Sequence, residues 1–246
     1  VDRRQRQMCI RDSNVLGVLP TGGGKSICYQ VPGLMLGGIT IVISPLISLM
    51  KDQVDQLTAA GISAIYLNSS LSQAKQREIE RGLTEGKYQF LYVAPERFDN
   101  PDFIALLRQL PIRLVAFDEA HCISKWGHDF RPSYQAVISK VLSLPQDFAI
   151  VALTATATAE VQKDIMSRLH IADEDEIKTS TKRPNLIFQV NPTFQRQNFV
   201  IDYVKDHPKQ AGIIYCATRK QVEELDEALQ NNHVNSCLLY TSDAAD

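Results

Sequence analysis

Two short segments of the chain carry side chains that could bind and cleave a phosphate chain. The first is Pro20-Thr21-Gly22-Gly23-Gly24-Lys25-Ser26, which follows an apolar run and precedes an amphipathic one. Consecutive glycines let the backbone curl so that N–H groups point at phosphate oxygens, and a following helix adds partial positive charge. The segment therefore predicts a nucleotide site, in which Lys25 reaches the β and γ phosphates and Ser26 binds Mg²⁺.

The second segment is Leu114-Val115-Ala116-Phe117-Asp118-Glu119-Ala120-His121, an apolar run that ends in adjacent carboxylates. In an α/β sheet the carboxyl ends of the strands face the ligand crevice, where the glycine-rich loop also lies. Asp118 is predicted to hold Mg²⁺ through its water shell, and Glu119 to orient and deprotonate an attacking water. The predicted catalytic set is thus Lys25, Asp118, Glu119 and His121.

Each segment has an alternative interpretation that involves no chemistry. A glycine-rich turn can simply begin a helix, and an Asp-Glu pair after a strand is most often only a turn. The strand before the loop, the helix after it and the intact Gly24-Lys25-Ser26 favour the nucleotide site. With such a loop in the same domain, the carboxylate pair is interpreted as catalytic.

The scaffold for these segments follows from alternating apolar and amphipathic runs. Because Ile39-Thr40-Ile41-Val42-Ile43 is apolar on both faces, it suits a parallel sheet covered by helices on both sides. The alternation predicts right-handed crossovers and a doubly wound α/β domain. Its predicted strands are Val15–Leu19, Ile39–Ser44, Ala64–Leu67, Phe90–Val93, Leu114–Phe117 and Phe148–Leu153. Its predicted helices are Lys25–Leu36, Leu46–Ala60, Ser72–Glu85, Phe103–Gln109, Tyr134–Ser143 and Thr158–Leu169.

A second pattern begins after the acidic run Asp173–Glu176, which we interpret as a solvated loop. We place a domain boundary between residues 178 and 179, where the composition becomes polar. The predicted elements beyond it are strand Leu186–Val190, helix Phe194–Asp206, strand Gly212–Tyr215 and helix Lys220–Gln230. The first domain is therefore expected at 14–178 and the start of a second at 179–236. The segments 1–13 and 237–246 are expected to be non-native tails.

Composition excludes several classes of protein. The 246 residues include 26 Lys and Arg against 28 Asp and Glu, so 26 − 28 = −2 rules out a globally basic nucleic-acid binder. No apolar stretch approaches the ~20 residues that span a bilayer, so a membrane is not an expected partner. The five cysteines form no CxxC pair, which disfavours a zinc ribbon or a disulfide framework.

Taken in order, the motifs resemble those of the RecQ family of superfamily 2 DNA helicases. The string from Asp118 to Pro132, DEAHCISKWGHDFRP, is specific to that family and is lacking in DEAD-box and other DEAH helicases. Instead of the glycine of the general phosphate-loop pattern, the chain has Leu19, as in the helicase-type variant of that loop. The other matching motifs are TGGGKSICYQVP (Thr21–Pro32), ISPLISLMKDQVDQL (Ile43–Leu57), YVAPER (Tyr92–Arg97), LTATAT (Leu153–Thr158), RPN (Arg183–Asn185) and GIIYCATR (Gly212–Arg219).

The resemblance implies a RecA-like P-loop domain followed by the first part of a second one. It implies an ATP-dependent 3′–5′ DNA helicase that uses ATP and Mg²⁺ and acts in DNA repair and recombination. Its partners would be single-stranded and partly duplex DNA, with a monomer favoured. It would lie with the nucleoid in the cytoplasm of a bacterium or in the nucleus of a eukaryote.

The resemblance also assigns residues to DNA binding and coupling. Hydroxyl, amide and ammonium donors at a loop and helix start suit phosphate contacts. An aromatic-rich loop with arginine suits base stacking. The backbone-gripping motif corresponds to Ser44, Pro45, Lys51 and Gln53, a second strand-tracking motif to Pro95 and Arg97, the coupling motif to Thr154 and Thr156, and the aromatic-rich loop to Trp126, His128, Phe130 and Arg131.

Two other functions stay open at this point. One is a different superfamily 2 translocase or an RNA helicase, and the other is a non-catalytic nucleotide- or DNA-binding module. The intact set of Lys25, Asp118 and Glu119 speaks against the second. The family's adenine-reading motif and its arginine finger are expected outside these residues, so the chain alone is expected to have little ATPase and no helicase activity.

Overall fold

The computed structural model describes residues 13–68, 70–127, 131–179 and 185–238. It divides into two compact units, Val1–Arg183 and Pro184–Asp246. The division lies five residues after the predicted boundary at 178/179. The predicted tails, 1–13 and 237–246, lie almost entirely outside the described residues.

The first unit is built on one parallel sheet of seven strands. The strand order is β3-β4-β2-β5-β6-β1-β7, and every neighbouring pair is parallel. This confirms the predicted doubly wound α/β fold. The strands are β1 (Val15–Val18), β2 (Ile39–Ile43), β3 (Ala64–Leu67), β4 (Phe90–Val93), β5 (Ile112–Phe117), β6 (Ala149–Thr154) and β7 (Glu176–Lys178).

Helices cover both faces of this sheet. In the buried strand β2, Ile39, Ile41 and Ile43 belong to one apolar cluster and Val42 to the other, so successive side chains enter opposite halves of the core. One half is closed by α1 (Lys25–Leu36) and α2 (Ile47–Ala59). The other is closed by α3 (Gln73–Thr84), α4 (Pro101–Leu107), α5 (Pro132–Leu142) and α6 (Ala159–Leu169).

Local sequence explains where several helices begin. Ser72 accepts a hydrogen bond from the Lys75 N–H at the start of α3, and Thr158 accepts one from Val161 at the start of α6. These side chains satisfy N–H groups that have no partner inside the helix. Pro101 and Pro132 occupy first helical positions, where a missing N–H costs nothing.

The strand β7 was not predicted. The acidic composition predicts a solvated loop over Asp173–Glu176, but Asp173–Asp175 form a short 3₁₀ helix and Glu176 begins β7. Residues Glu176 to Lys178 pair with Leu16 to Val18 of β1. The free edge of β1 provides the backbone hydrogen-bond partners of this strand, so tertiary pairing overrides the polar local composition.

The second unit contains α7 (Arg196–Asp206) and α8 (Arg219–Asn231). Thr218 caps α8 by accepting a hydrogen bond from the Gln221 N–H. The strands predicted at Leu186–Val190 and Gly212–Tyr215 are wrong, because these residues pair with no neighbour in the described part of the chain. A strand requires a hydrogen-bonded partner, and an apolar run without one does not qualify. That this unit begins a second RecA-like domain stays a prediction.

Close packing between α1 and the sheet generates a stability prediction. A Cβ on Gly33 would collide with the Thr40 hydroxyl and lie 3.0 Å from the Phe90 ring. Gly33→Ala should therefore lower the free energy of unfolding by about 1–3 kcal/mol, measured by urea denaturation with circular dichroism. Gly212→Ala, where a Cβ meets nothing within 4 Å, should stay near wild type. Equal stability of the two variants would contradict this packing.

Candidate functional site

The glycine-rich loop forms a tight turn between β1 and α1. Gly22 and Gly24 both have φ of 75°, a conformation that favours glycine. The Gly23 N–H donates to the Pro20 carbonyl at 2.8 Å, and a Cβ on Gly23 would lie 2.8 Å from that same oxygen. All three glycines are thus required by the turn that opens α1 at Lys25, a geometry suited to a phosphate group.

The lysine of the loop faces the glutamate at the end of β5. Lys25 Nζ lies 4.0 Å from Glu119 Oε1, and both side chains are mostly buried. Glu119 has φ 48° and ψ 48°, a left-handed conformation that non-glycine residues adopt rarely. This turn ends β5 and directs the Glu119 side chain back to the phosphate loop. The cation and the carboxylate thus lie close together beside the glycine-rich loop.

Asp118 is held by contacts to its main chain and its side chain. Its N–H donates to the Ile43 carbonyl at 2.9 Å, its carbonyl accepts from the Tyr134 hydroxyl at 3.0 Å, and Ser44 Oγ donates to Oδ2 at 3.5 Å. Burial, and then the neighbouring Glu119 charge, raise the pKa of Asp118. A buried carboxylate is stabilised by a cation, and carboxylate and hydroxyl oxygens are the ligands that Mg²⁺ prefers. Asp118 and Ser26 therefore fit this metal.

His121 joins the carboxylate to the end of β6. Its Nδ1 lies 3.3 Å from Glu119 Oε2 and 3.1 Å from the Thr154 hydroxyl. The Cys122 side chain and the Glu119 carboxylate raise the pKa of His121 to about 9. The hydrogen bond from His121 lowers the pKa of Glu119, which outweighs the effect of its burial. At neutral pH a protonated His121 therefore keeps Glu119 ionised, as a general base must be.

The predicted coupling residues, Thr154 and Thr156, connect to the Glu119–His121 pair through the Thr154 hydroxyl. The Thr154 hydroxyl donates to the Thr156 carbonyl at 3.2 Å and accepts from the Thr156 N–H at 3.3 Å. Thr154 is buried, whereas Thr156 is exposed. A continuous set of hydrogen bonds thus runs from Glu119 through His121 and Thr154 to the surface at Thr156.

The residues predicted to grip DNA at the end of β2 point in different directions. Ser44 is buried against Asp118, and Gln53 accepts a hydrogen bond from Gln30 at 3.1 Å. Lys51 is exposed on α2. The Pro45 carbonyl accepts from Arg131 Nη1 at 3.3 Å, which ties the aromatic-rich loop to this motif.

The second strand-tracking motif lies against α3. Arg97 donates to Gln76 at 2.9 Å and to Glu80 at 3.0 Å, and its guanidinium lies 5.5 Å from the centre of the Phe103 ring. Pro95 is buried at the start of a 3₁₀ helix. The structure therefore engages the Arg97 head group within the protein, and a contact of Pro95 or Arg97 with DNA stays a prediction.

The aromatic-rich loop presents its tryptophan to solvent. Trp126 is 75% exposed, and its N–H donates to Ser124 Oγ at 3.3 Å. Because most of its surface is exposed, the indole is available to a partner. His128 and Phe130 lie outside the described residues.

Sequence reasoning missed two sets of positioning side chains. Tyr134 is fully buried, and its hydroxyl donates to the carbonyls of Ile43 and Asp118, at the ends of β2 and β5. Tyr29 and Tyr92 share a buried contact between α1 and β4. Tyr29 and Tyr92 lie inside the quoted motifs, and Tyr134 lies two residues after one. A tyrosine within or beside a motif was the available signal, because its hydroxyl requires a partner when the ring is buried.

Comparison with known proteins identifies the relatives of this chain. The family described as DEAD/DEAH box helicase matches residues 4–165. The chain is 50% identical to the ATP-dependent DNA helicase RecQ of Bacillus subtilis, over 91% of this chain and 38% of the relative. It is 42% identical to the protein of the same name from Haemophilus influenzae, over 92% of this chain and 36% of that relative. The chain therefore spans little more than a third of these relatives.

Solved structures share the fold. A crystal structure of the DUF1998 helicase MrfA bound to DNA superposes with a TM-score of 0.69, covering 93% of this chain and 34% of that one, at 14% identity. At this identity the likeness supports the fold alone. In the part of the chain that the structure describes, none of the helices is both long and apolar enough to span a membrane.

The His121–Glu119 pair generates a prediction about pH. The pKa of His121 is raised from 6.5 to about 9, so its stabilising proton is fully present below pH 6.5 and lost as pH rises through 9. The free energy of unfolding of the wild type should fall relative to His121→Gln by about 1–2 kcal/mol across this range. The magnitude is modest because Glu119 remains 23% exposed.

Urea denaturation at intervals from pH 6 to 9.5 measures the difference. His207→Gln, at a half-buried position of the second unit, is the control and should keep the pH dependence of the wild type. Parallel curves for the wild type and His121→Gln would show that the ion pair does not form.

Proposed function

Because the chain belongs to the DEAD/DEAH box helicase family, we propose that it is the ATP-hydrolysing motor region of a RecQ-type DNA helicase. One observation carries this proposal. The phosphate loop and the Asp118-Glu119 pair meet at the same edge of one parallel sheet, with Lys25 Nζ 4.0 Å from Glu119 Oε1. The similarity to bacterial RecQ helicases supports DNA as the polymer acted on.

In this proposal each residue has a separate task in ATP hydrolysis. The N–H groups of Gly22 and Gly24 bind phosphate oxygens, and Lys25 neutralises the β and γ phosphates. Ser26 and Asp118 would hold Mg²⁺, which when bound offsets the charge of the triphosphate. Glu119 orients a water at the γ phosphate and accepts its proton, since its lowered pKa keeps it ionised.

DNA is proposed to bind at the loops that surround this edge. Exposed Lys51 supplies a charge for a phosphate, and exposed Trp126 supplies a ring for base stacking. Arg131 links the aromatic-rich loop to Pro45. The crystal structure of MrfA with DNA shows that a protein of this fold binds such a partner.

The remaining parts of the proposal rest on the resemblance of the motifs to those of the RecQ family. We propose movement in the 3′–5′ direction on single-stranded DNA, unwinding of partly duplex DNA in repair and recombination, and action as a monomer. Such a protein works where DNA lies, with the nucleoid in a bacterium or in the nucleus of a eukaryote.

Nucleotide binding tests the first part of the proposal. Lys25→Ala should weaken binding of a fluorescent Mg²⁺–ATP analogue by about tenfold or more, because the phosphate charge loses a charge-assisted partner. Glu119→Gln is the matched control, since it removes a charge from the same site and should bind within a few-fold of wild type. Equal affinities for wild type and Lys25→Ala would refute the nucleotide site. In the complete protein, Glu119→Gln should lower DNA-stimulated turnover by ~10²–10⁴-fold.

Intrinsic fluorescence tests the DNA-binding part. Trp126 is the only tryptophan of the chain, so adding single-stranded DNA should change the emission, with an affinity that falls as salt rises. A single-stranded RNA of the same sequence is the comparison and should bind more weakly. Unchanged emission at saturating DNA, with binding shown by anisotropy, would place the loop away from the strand.

A further inference from the structure

A chain of hydrogen bonds joins side chains that are assigned no step in ATP hydrolysis. Tyr29 and Gln30 lie in the second turn of α1, Tyr92 in β4 and Gln53 in α2. The hydroxyls of Tyr29 and Tyr92 are 3.3 Å apart. Gln30 Nε2 donates to the Tyr92 hydroxyl at 3.3 Å and to Gln53 Oε1 at 3.1 Å. We call these four side chains the polar bridge.

The two ends of the polar bridge reach two different proposed sites. At one end, Tyr29 lies three residues after Ser26, one helical turn further along α1. Ser26 directly follows the lysine of the phosphate loop. At the other end, Gln53 lies two residues from the exposed Lys51 of α2. The bridge therefore joins the nucleotide side of the unit to a helix proposed to contact DNA.

Packing alone does not require the hydroxyl groups of the bridge. Tyr29 and Tyr92 are each 1% exposed and belong to the apolar cluster beneath α1 and α2. Their rings meet edge to face, with centroids 6.4 Å apart. Phenylalanine would fill almost the same space and make the same ring contact, without a polar group to satisfy.

The bridge restricts how α1 and α2 can move. A buried hydroxyl or amide that loses its partner costs about 1–3 kcal/mol. If α1 shifts relative to β4, the bonds from Tyr29 and Gln30 break unless Tyr92 and Gln53 follow. Since the bonds share members, the whole set favours one relative placement of α1, β4 and α2. A shift of α1 at the phosphate loop would therefore also displace α2 or break these hydrogen bonds.

We propose that the polar bridge couples the phosphate loop to α2, so that a bound nucleotide changes the affinity of this unit for single-stranded DNA. Tyr92 and Gln30 act as positioning residues, because they connect the two helices and are assigned no contact with either ligand. The inference rests on the proposed function, since it requires that both ligands bind here.

The experiment measures the coupling between the two ligands in the whole 246-residue chain. The Kd for a fluorescein-labelled oligothymidine is determined by anisotropy, with and without a saturating non-hydrolysable Mg²⁺–ATP analogue. The ratio of the two Kd values is the coupling factor, and the wild type should show about fivefold or more in either direction.

Tyr92→Phe should bring this ratio to within about twofold of one. The same variant should keep the Kd for the nucleotide alone and the Kd for DNA alone near wild type, because no ligand contact is removed. Its thermal midpoint should fall by a few degrees, because the buried Tyr29 hydroxyl loses its partner. Gln30→Met breaks the bridge on the side of α2 and should give the same result. The double variant should have the same coupling factor as either single variant, since both substitutions interrupt the same set of hydrogen bonds.

Tyr66→Phe is the matched control. Tyr66 lies beside Tyr92 in the neighbouring strand β3 and is not part of the bridge, so its variant should keep the wild-type ratio. A wild-type ratio in Tyr92→Phe, a ratio of one in the wild type, or an equal loss in Tyr66→Phe would each overturn the bridge. If the wild-type chain binds no nucleotide, the proposed function itself fails, and the bridge fails with it.

Discussion

In a parallel sheet every strand ends at the same edge, and the chemistry of this protein depends on that constraint. The phosphate loop follows β1, Ser44 follows β2, the Asp118-Glu119 pair follows β5, and Thr154 ends β6. The ends of β1 and β6 are 136 positions apart along the chain (154 − 18 = 136). Parallel hydrogen bonding brings them together, because it aligns the carboxyl ends of strands joined by right-handed crossovers.

That edge places opposite charges close together while removing much of the solvent from them. Lys25 faces one carboxylate oxygen of Glu119 and His121 contacts the other, so the proposed general base stays ionised although it is largely buried. At Asp118 the effect of burial outweighs that of the hydrogen bonds and the lysine charge, so its pKa is raised. The surroundings thus give two adjacent carboxylates different proposed roles: Asp118 suits a metal ion, and Glu119 suits the acceptance of a proton from water.

The two faces of the sheet serve different purposes. Beneath α3 to α6 the core is almost wholly apolar, and the buried hydroxyl of Tyr134 holds the ends of β2 and β5. Beneath α1 and α2 the apolar cluster contains the linked side chains of Tyr29 and Tyr92. The face that carries the phosphate loop therefore also carries a polar connection between helices, which an apolar core would not provide.

Much of this could be predicted from the sequence, because the signals are local. The three glycines, the following lysine and the apolar strand before Asp118 are short-range features, and the helix Lys25–Leu36 and strand Phe90–Val93 have the predicted bounds. Only the tertiary structure decided the strand order, the burial of Ser44 against Asp118 and the pairing of Arg97 with Glu80. It also decided that Glu176–Lys178 is a strand and that Leu186–Val190 is not. A strand exists only where another strand completes its hydrogen bonds, and a polar side chain takes its role from partners that are distant in sequence.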